Sequence, residues 1–571
     1  MILTQHGINS LRRSQPVPPG PSSLPDRTVR LQMSSGFDPS AWTPYDSSKT
    51  YSWTAVSGLA DTWDCTCDYT NWTDVFRGQP SIIRVIDANL TGVTNLDEAF
   101  QACTNLEAVD CMDAQTVTSM YYAFYGCSSL STVSNITTSS ALTSTGYMFT
   151  NCTALTSVDL FDTSSTTDVS GMFTGCSNIV TVPTFDTGNA KSLSSMFYGC
   201  TKLATVPAFD TSSATSTTYM FYRCSTLTSV PLLDTSHVTR MNYMFANCPN
   251  LSSIPEIDTS SATDVSYMFN YCTSLASIPN LDLSNATNLF QMFYYCTSLT
   301  EAELDTPKAT NLQRLFEGCS SLETVTLSDL SAATNIAELC YNCTSLKNVT
   351  LSKASKVTST YSGGSSIFSF CSKLETVVID GTTSLTDASI LFSGASSLKS
   401  VTFTDTSALT TMPQMFDGCS SLETVIGLNT AKVTNIVYAF RGCTSLVNAP
   451  TLSMNTSLRS IGGLFDGCTS LAAIPSMDMS KINTITEAFR NCTSITEIPD
   501  FNFTTTSGTY CIRFLNSAFD GCINVETGIT RFYNKVKNAQ TSLTTQYCLR
   551  NCGSNTTSGA AELAEIPSGW K

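Results

Sequence analysis

Apolar residues recur along this chain in a fixed order, separated by Ser, Thr and Asn. In the segment TYMFYRCSTLTSVPLLDTS, which begins at Thr218, a Phe is followed by a Cys, a Leu and a Val at intervals of three residues. The order returns about every 24 residues, a repeat length typical of solenoids whose turns bury their apolar sides against each other. Short apolar runs with β-branched residues favour strands over helices. The pattern predicts a repeat solenoid of about 20 turns, with short parallel β-strands stacked turn upon turn.

Within each turn, the core positions are predicted to be the Phe, the Cys, the Leu and the Val. Leu203, Val206, Phe221 and Cys224 are therefore expected to face one continuous core. Pro follows the Val in many turns and cannot donate to a strand ladder, so the strand is expected to be the SLTSV-type piece that ends there. The other half of a turn, such as residues 260–269, fits either a second strand or a tight helical turn, and periodicity leaves both open.

Changes in composition divide the chain into four expected segments. Residues 1–30 are rich in Pro, Ser and Arg and are predicted to form an extended docking tail. Residues 31–75 hold a group of Trp side chains and are predicted to cap the first turn, because terminal repeats must cover the open core. The repeats are assigned to residues 76–525, and residues 526–571 are predicted to form the C-terminal cap.

The chain contains 24 cysteines, most of them at one fixed position of the repeat. Copies stacked roughly 4.8 Å apart would place their Cβ atoms slightly beyond the ~3.5–4.5 Å that a disulfide requires. We therefore predict reduced thiols that pack as small apolar groups. Zinc is the alternative for Cys65 with Cys67 and for Cys340 with Cys343, but neither pair has a second pair at finger spacing. The predicted core ladder consists of Cys152, Cys176, Cys200, Cys224, Cys248, Cys272 and Cys296.

Asp recurs ten residues after the Cys and opens a DTS-like triplet. Such side chains accept hydrogen bonds from nearby backbone N–H groups at turns, which requires no metal. A ladder of carboxylates that binds Ca²⁺ is the alternative and stays open here. The predicted turn-capping residues are Asp162, Asp186, Asp210, Asp234, Asp258 and Asp282.

Tyr is concentrated at the variable positions between the Phe and the Cys. Variable positions are expected to face outward, and aromatic groups with a polar tip are enriched at interfaces. The alternative is that these rings only stack on each other along the solenoid, and the sequence favours neither. The candidate ligand-binding residues are Tyr198, Tyr222, Tyr271, Tyr294 and Tyr295.

Composition narrows the possible functions. Charged residues make up 13% of the chain and the net charge is −16, which argues against nucleic-acid binding. No apolar stretch reaches the length of a transmembrane segment, and no apolar run near Met1 resembles a signal peptide, so ordinary secretion is not expected. With two His and no glycine-rich phosphate loop, the chain is predicted not to be an enzyme. We assign no catalytic residue, metal or cofactor.

The recurring phrase MFxxCxxLxxVPxxDTS, as at Met220, resembles the BspA-type leucine-rich repeat, in the variant found on bacterial surface proteins and mycoplasma lipoproteins. The resemblance covers roughly residues 75–525 and implies a right-handed leucine-rich-repeat solenoid with a role in adhesion or recognition. The family has no catalytic residues to carry over. The opening HGINS and the Pro-rich stretch after it resemble the start of tail proteins from phages of gut bacteria.

These observations give a first hypothesis and two alternatives. The first is a non-enzymatic binding protein on a bacteriophage virion, such as a tail fibre or another receptor-binding component. Its partners would be a host-surface glycan or protein and, through the N-terminal segment, other virion proteins. The alternatives are a bacterial cell-surface adhesin and a purely structural virion or scaffold protein.

Overall fold

A computed structural model of the protein describes residues 23–45, 47–278, 280–503, 512–537 and 543–571. The chain forms two compact units, Met1–Asp234 and Thr235–Lys571. Residues 1–22, which make up most of the predicted tail, lie outside the described residues. Each unit consists of stacked repeats.

The first unit begins with antiparallel strands and continues with parallel ones. Strand β1 lies between β3 and β4, with Leu31 opposite both Trp63 and Val85, and β2 pairs with β3. Strand β4 then pairs in parallel with β5 and β6, which start the ladder of the repeats. The strands are β1 (Thr28–Met33), β2 (Ser52–Ala55), β3 (Thr62–Thr66), β4 (Ile82–Asn89), β5 (Ala108–Val109), β6 (Met112–Asp113), β7 (Thr132–Val133), β8 (Ile136–Thr137) and β9 (Ser157–Val158); Pro39–Ala41 form a 3-10 turn.

An aromatic cluster covers the start of the repeats in this unit. The ring centroids of Phe37 and Trp53 lie 5.2 Å apart, and those of Trp42 and Trp53 lie 5.0 Å apart. Trp42 also contacts Phe76 edge-on at 5.9 Å, and Phe76 is the first ring of the core stack. Aromatic side chains bury large apolar areas, so this cluster shields the end of the core from water.

The second unit contains a six-stranded parallel sheet in which equivalent residues of successive turns lie opposite each other, as Val325 does Val349. The sheet order is β10-β11-β12-β15-β16-β17, and β13 and β14 form a small antiparallel hairpin. These strands are β10 (Glu301–Leu304), β11 (Thr324–Leu327), β12 (Asn348–Leu351), β13 (Tyr361–Ser362), β14 (Ser365–Ser366), β15 (Thr376–Ile379), β16 (Ser400–Phe403) and β17 (Thr424–Ile426).

Two short helices lie near the C-terminus. Helix α1 (Ile529–Val536) buries Ile529, Phe532 and Val536, and the Phe532 ring meets Phe519 edge-on at 5.0 Å. Helix α2 (Thr557–Ala564) is capped by the Thr556 side chain and is followed by a 3-10 turn at Ser568–Trp570. None of the helices within the described residues is long and apolar enough to cross a membrane.

The strands of the second unit begin where the sequence predicted them to end. In β11 the strand starts at Thr324, and Val325 and Leu327 alternate inward, whereas the preceding SSL segment is a turn closed by Leu322 N–H to Cys319 C=O. Turns with Pro after the Val, such as Pro183 and Pro207, have no assigned strand among the described residues. Proline removes the ladder N–H at the third strand position, directly after the Val, so no strand forms in these turns.

Rings of the recurrent Phe stack along the core of each unit. Phe173 and Phe197 in the first unit lie 5.9 Å apart with nearly parallel planes, and Phe245 and Phe269 in the second unit lie 5.6 Å apart. Leu203, Phe221 and Cys224 are fully buried, as expected. Val206 is only half-buried, contrary to the prediction; its segment has no assigned strand, and Val182 and Val230, which also precede a Pro, are 8% and 7% exposed compared with 1% for Val325.

The other half of each solenoid repeat is a tight hydrogen-bonded turn, and one residue of it forms a β-bridge to the equivalent residue of the next repeat. The Phe149 N–H donates to Met172 C=O of the next turn at 2.9 Å, while the Met148 N–H donates back to Thr145 C=O at 3.2 Å. Tyr147 and Asn151 on either side adopt left-handed backbone angles, with φ of 55° and 60°. This arrangement answers the question left open by periodicity, because the segment is a tight turn and not a second strand.

The predicted fold class is confirmed, since both units are leucine-rich-repeat-like solenoids with parallel strands about 24 residues apart. The number of regular turns differs slightly from the roughly 20 predicted. Three steps are longer than the others, as the bridges Ser359–Asp387, Thr484–Phe514 and Phe514–Thr544 show. Insertions at these steps interrupt the regular spacing but keep the stacking.

Candidate binding surface

Three of the candidate tyrosines form one cluster in the second unit. The Tyr271 ring stacks on Tyr295 with centroids 5.2 Å apart and meets Tyr294 edge-on at 5.4 Å. Tyr294 and Tyr295 are 4.6 Å apart. Tyr271 is 40% exposed, so the cluster presents an aromatic surface to solvent.

The other two candidates form a cluster in the first unit. Tyr198 and Tyr222 stack with centroids 4.9 Å apart, and Tyr219 contacts both rings. The Arg223 guanidinium lies over the Tyr222 ring at 5.3 Å. The rings therefore do stack on each other, as one of the two sequence interpretations held, and they remain half-buried at the surface. Their role in binding stays a prediction.

A further set of tyrosines, located two residues before the recurring Phe, was not identified as surface residues from the sequence. It includes Tyr147, whose ring contacts Tyr122 at 5.2 Å, and Tyr243, whose ring stacks on Tyr267 at 4.1 Å. These residues have positive φ, which an aromatic residue rarely adopts. The recurring triplet YMF could have indicated this set, but without the backbone angles its Tyr is indistinguishable from the core Met and Phe that follow it.

Glycines on the following turn make room for several tyrosine rings. A Cβ on Gly171 would clash with the Tyr147 ring, and one on Gly318 would lie 2.7 Å from the Tyr295 ring. Both glycines have positive φ. The glycine therefore serves the turn conformation and the ring packing together.

Two phenol groups of the second cluster, those of Tyr294 and Tyr295, have a raised pKa and stay protonated near neutral pH. Burial, followed by the neighbouring Glu317 charge, raises the pKa of Tyr294 well above its usual value. Burial and Glu317 also raise the pKa of Tyr295. The clusters consequently offer flat aromatic faces with hydroxyl groups that donate and accept hydrogen bonds.

Two carboxylates lie beside the second cluster and differ in their partners. Glu338 accepts a hydrogen bond from Arg314 Nε at 2.6 Å and another from Ser365 Oγ. Glu317 is buried, and its Oε2 accepts no hydrogen bond; its nearest charge is Arg314 Nε at 3.4 Å. Burial raises the pKa of Glu317, whereas the bonds to Glu338 outweigh its burial and lower the pKa of that carboxyl.

The seven cysteines of the predicted core ladder are all buried. Beyond packing, thiols of this ladder donate to the carbonyl of the Phe one turn earlier, as Cys224 Sγ does to Phe197 at 3.1 Å. Each cysteine that the structure describes is a reduced thiol. Burial raises the pKa of Cys296 to about 12, which suppresses the reactive thiolate. Bonds of the same kind start from Cys152, Cys176, Cys200, Cys272 and Cys296.

The predicted turn-capping aspartates mostly accept a hydrogen bond from the backbone N–H two residues further on. Asp282 Oδ1 accepts from Ser284 N at 2.9 Å, and the side chain of Ser284 together with this backbone contact lowers the pKa of Asp282. Asp234 lies at the equivalent position, and its carbonyl accepts from Thr211 Oγ1 at 2.8 Å. Within the described parts of the chain, no group of three or more His, Cys, Asp or Glu is arranged to hold a metal ion. The side chains that accept from the backbone N–H two residues further on, as Asp282 does, also include Asp162, Asp186, Asp210 and Asp258.

The Thr that follows the Asp was assigned no role from the sequence, yet it links one turn to the next. Thr259 is fully buried, and its hydroxyl donates to the Asp282 carbonyl of the following turn at 2.7 Å. Thr306 does the same to Asp329 at 3.0 Å. The DTS triplet thus caps its own turn with Asp and ties the next turn with Thr.

The repeated turns, the buried core ladder and the aromatic surface define a leucine-rich-repeat solenoid of the binding type. The chain belongs to the family described as Mycoplasma protein of unknown function, DUF285, whose model matches residues 70–181, 143–253, 227–329 and 383–501. The model of the BspA-type leucine-rich repeat region matches residues 283–389. The resemblance inferred from the repeat phrase is confirmed.

Solved structures with similar chains include a leucine-rich cell surface protein from Faecalibacterium prausnitzii, at 21% identity and a TM-score of 0.27, covering 56% of this chain and 79% of that one. A leucine-rich repeat protein from Eubacterium ventriosum has 19% identity and a TM-score of 0.30, covering 65% and 85%. The Toll–Spätzle complex of Drosophila has 12% identity and a TM-score of 0.26, covering 73% and 57%. No curated protein matches.

Family membership supports a coarse functional statement. BspA-type leucine-rich-repeat proteins are bacterial cell-surface proteins with a binding or adhesion type of role. Leucine-rich-repeat proteins are typically non-enzymatic binding proteins, and neither matching family model is described as catalytic.

Proposed function

We propose that this protein is a non-enzymatic adhesion protein that binds a cell-surface polysaccharide through its tyrosine clusters. The observation that supports this best is the grouping of partly exposed tyrosines on neighbouring turns, as in Tyr271, Tyr294 and Tyr295. Tyrosine combines a large contact area with little side-chain entropy and a polar tip, which suits recognition of hydroxyl-rich surfaces. The core positions repeat and cannot specify a partner, so specificity resides in these variable positions.

A repetitive polymer fits this protein better than a compact ligand. Tyrosine clusters occur in both units, so one chain offers several separate contacts. Several weak contacts to one polymer combine into strong attachment, because each later contact is intramolecular. The surface has few charges, and the hydroxyl groups of Ser, Thr and Tyr complement those of sugars.

The proposal also includes where the protein is displayed, on a phage particle or on a bacterial cell. Carriage on a phage virion, as a tail fibre or another receptor-binding component, is motivated by the opening HGINS and the Pro-rich stretch after it. A bacterial cell-surface adhesin is the alternative that the family favours. Mass spectrometry of purified phage particles and of proteins released from intact cells by protease would distinguish them. Finding the chain only on cells would refute the virion proposal.

The binding proposal is tested by replacing Tyr198, Tyr222, Tyr294 and Tyr295 with Ser. Attachment of the purified variant to whole bacterial cells and to a polysaccharide array is measured against the parent, after circular dichroism has confirmed folding. The control variant replaces Tyr45 and Tyr361, which are 62% and 38% exposed and lie outside the clusters. We expect the cluster variant to lose attachment and the control to keep it. Parental attachment by the folded cluster variant would mean that the rings only pack, as in a structural or scaffold protein.

A further inference from the structure

The surroundings of the second tyrosine cluster contain more negative than positive charge. Arg314 Nε lies 2.6 Å from Glu338 and 3.4 Å from Glu317, so a single guanidinium serves two carboxylates. Glu338 has additional donors, but Glu317 Oε2 accepts no hydrogen bond from the protein. Buried carboxylates are normally paired, and an incompletely paired one favours a cation nearby.

This incompletely paired carboxylate adjoins the aromatic surface. The Tyr295 N–H donates to the Glu317 carbonyl at 2.8 Å, so the two residues lie side by side on successive turns. The Glu317 charge also acts on the phenols of Tyr294 and Tyr295. A negative charge next to aromatic rings adds to the attraction that their faces exert on cations.

Some tyrosine rings in other turns are covered by the chain's own cations. Arg441 lies 4.8 Å from the Tyr438 ring centroid, and Arg550 lies 4.4 Å from that of Tyr547. Within the described part of the chain, Tyr271, Tyr294 and Tyr295 have no Lys or Arg over their rings in this manner. The exposed Tyr271 face therefore remains open to a cation from a ligand.

We propose that Tyr271, Tyr294, Tyr295 and Glu317 bind the ammonium group of an amino sugar within a cell-surface polysaccharide. The rings supply the contact for the sugar and the cation, and Glu317 supplies the opposite charge. The net charge of −16 attracts cationic polymers toward the chain in addition. The inference rests on the proposed polysaccharide binding and specifies the sugar at one of its clusters.

The experiment compares a glucosamine oligomer with an N-acetylglucosamine oligomer of equal length, using calorimetry at pH 6 and low salt. The two probes differ in whether the nitrogen carries a charge. We expect the parent protein to bind the glucosamine oligomer at least about tenfold more tightly, which corresponds to about 1.4 kcal/mol. Glu317→Gln should abolish this preference and retain the affinity for the acetylated oligomer.

Two further variants separate a specific effect from a general one. Glu423→Gln removes the same net charge at an exposed position of the same unit and should leave the preference unchanged. Tyr271→Asn should weaken binding of the glucosamine oligomer and remain folded, because Asn247 and Asn342 occupy the same left-handed position in other turns. This variant tests the proposal even if Glu317→Gln fails to fold.

The outcomes distinguish this inference from the proposed function. Equal affinity of the parent for both oligomers would overturn the ammonium site while supporting polysaccharide binding. Binding of neither oligomer, nor of any polysaccharide on the array, would overturn the proposed function itself. Tighter binding of a lysine-rich peptide than of the glucosamine oligomer would show that the cation belongs to a protein, which would refute the amino-sugar assignment.

Discussion

The hydroxyl of Thr306 provides a sharp test of how successive turns are held together. Thr306 is fully buried, and its Oγ1 donates to the Asp329 carbonyl of the next turn at 3.0 Å. No other donor from the described residues reaches that carbonyl. Thr306→Val keeps the side-chain shape but removes the donor, so the carbonyl loses its partner within the protein.

Thr310 is a matched control in the same turn. Its Oγ1 donates to the Thr287 carbonyl at 3.1 Å, but the side chain is exposed, and that carbonyl also accepts from the Thr310 N–H at 2.9 Å. We expect Thr306→Val to lower the free energy of unfolding by about 1–2 kcal/mol, the cost of a lost hydrogen bond and a poorly satisfied carbonyl. Thr310→Val should change it by less than about 0.5 kcal/mol.

The measurement is urea-induced unfolding of the three proteins, followed by circular dichroism, with amide hydrogen exchange as a local readout. The Ala309 N–H donates to the Thr306 carbonyl at 3.1 Å and should exchange faster in Thr306→Val than in the parent. If both variants were destabilised equally, or if neither were, the inter-turn hydroxyl bond would have no special role in stability.

Three further predictions follow from buried or strained groups. Native ladder thiols should resist alkylation at pH 8 and react once the protein is denatured without reductant, because burial raises the pKa of Cys296 to about 12; a largely oxidised ladder would contradict this. Lys353 and Ser331 lower the pKa of Asp329 from 3.8 to about 2, so the stability that the ionised carboxylate contributes is present above pH 3.8 and is lost as the pH falls through 2. The difference in unfolding free energy between the parent and Asp329→Asn should therefore disappear between pH 3.8 and pH 2. A difference that does not depend on pH would refute this prediction. Gly318→Ala and Gly418→Ala both place Ala at a φ near 75°, which costs about 1 kcal/mol, but only the Ala at position 318 would meet a tyrosine ring. Gly318→Ala should therefore be the less stable of the two variants and should alter the near-ultraviolet circular dichroism. Equal stability of the two variants would refute the ring packing.

The apolar period was sufficient to predict the solenoid and most of its core. Phe221, Cys224 and Leu203 recur at fixed spacing, and only stacked turns bury such positions together. The half-buried Val206 was mispredicted because the period marks it as equivalent to Val325, whereas Pro207 changes its backbone. The repeat spacing marks the core positions but does not reveal which turns keep a strand around them.

Roles that depend on backbone direction were beyond the sequence analysis. The buried position of Thr306 and its bond to the next turn follow from the path of the turn, while its sequence suggests only an exposed hydroxyl. Tyr267 was overlooked because its outward direction depends on a left-handed φ of 58°. The Cys224 thiol was predicted as an apolar filler, and its bond to Phe197 required knowledge of how neighbouring turns align.

The residue directly after the core Phe shows why the aromatic part of the second unit is the better candidate for binding. This position is Tyr at Tyr294 and, in a turn where Cys340 replaces the Phe, at Tyr341, but later turns place alternating acidic and basic residues there. These charges pair between turns, so their polar atoms are already occupied, although exposed ion pairs add little stability. In the aromatic turns the ring faces are open to a ligand, whereas in the charged turns the carboxylates and guanidinium groups pair with each other. The paired residues are Asp417 with Arg441, Asp466 with Arg490, and Asp520 with Arg550.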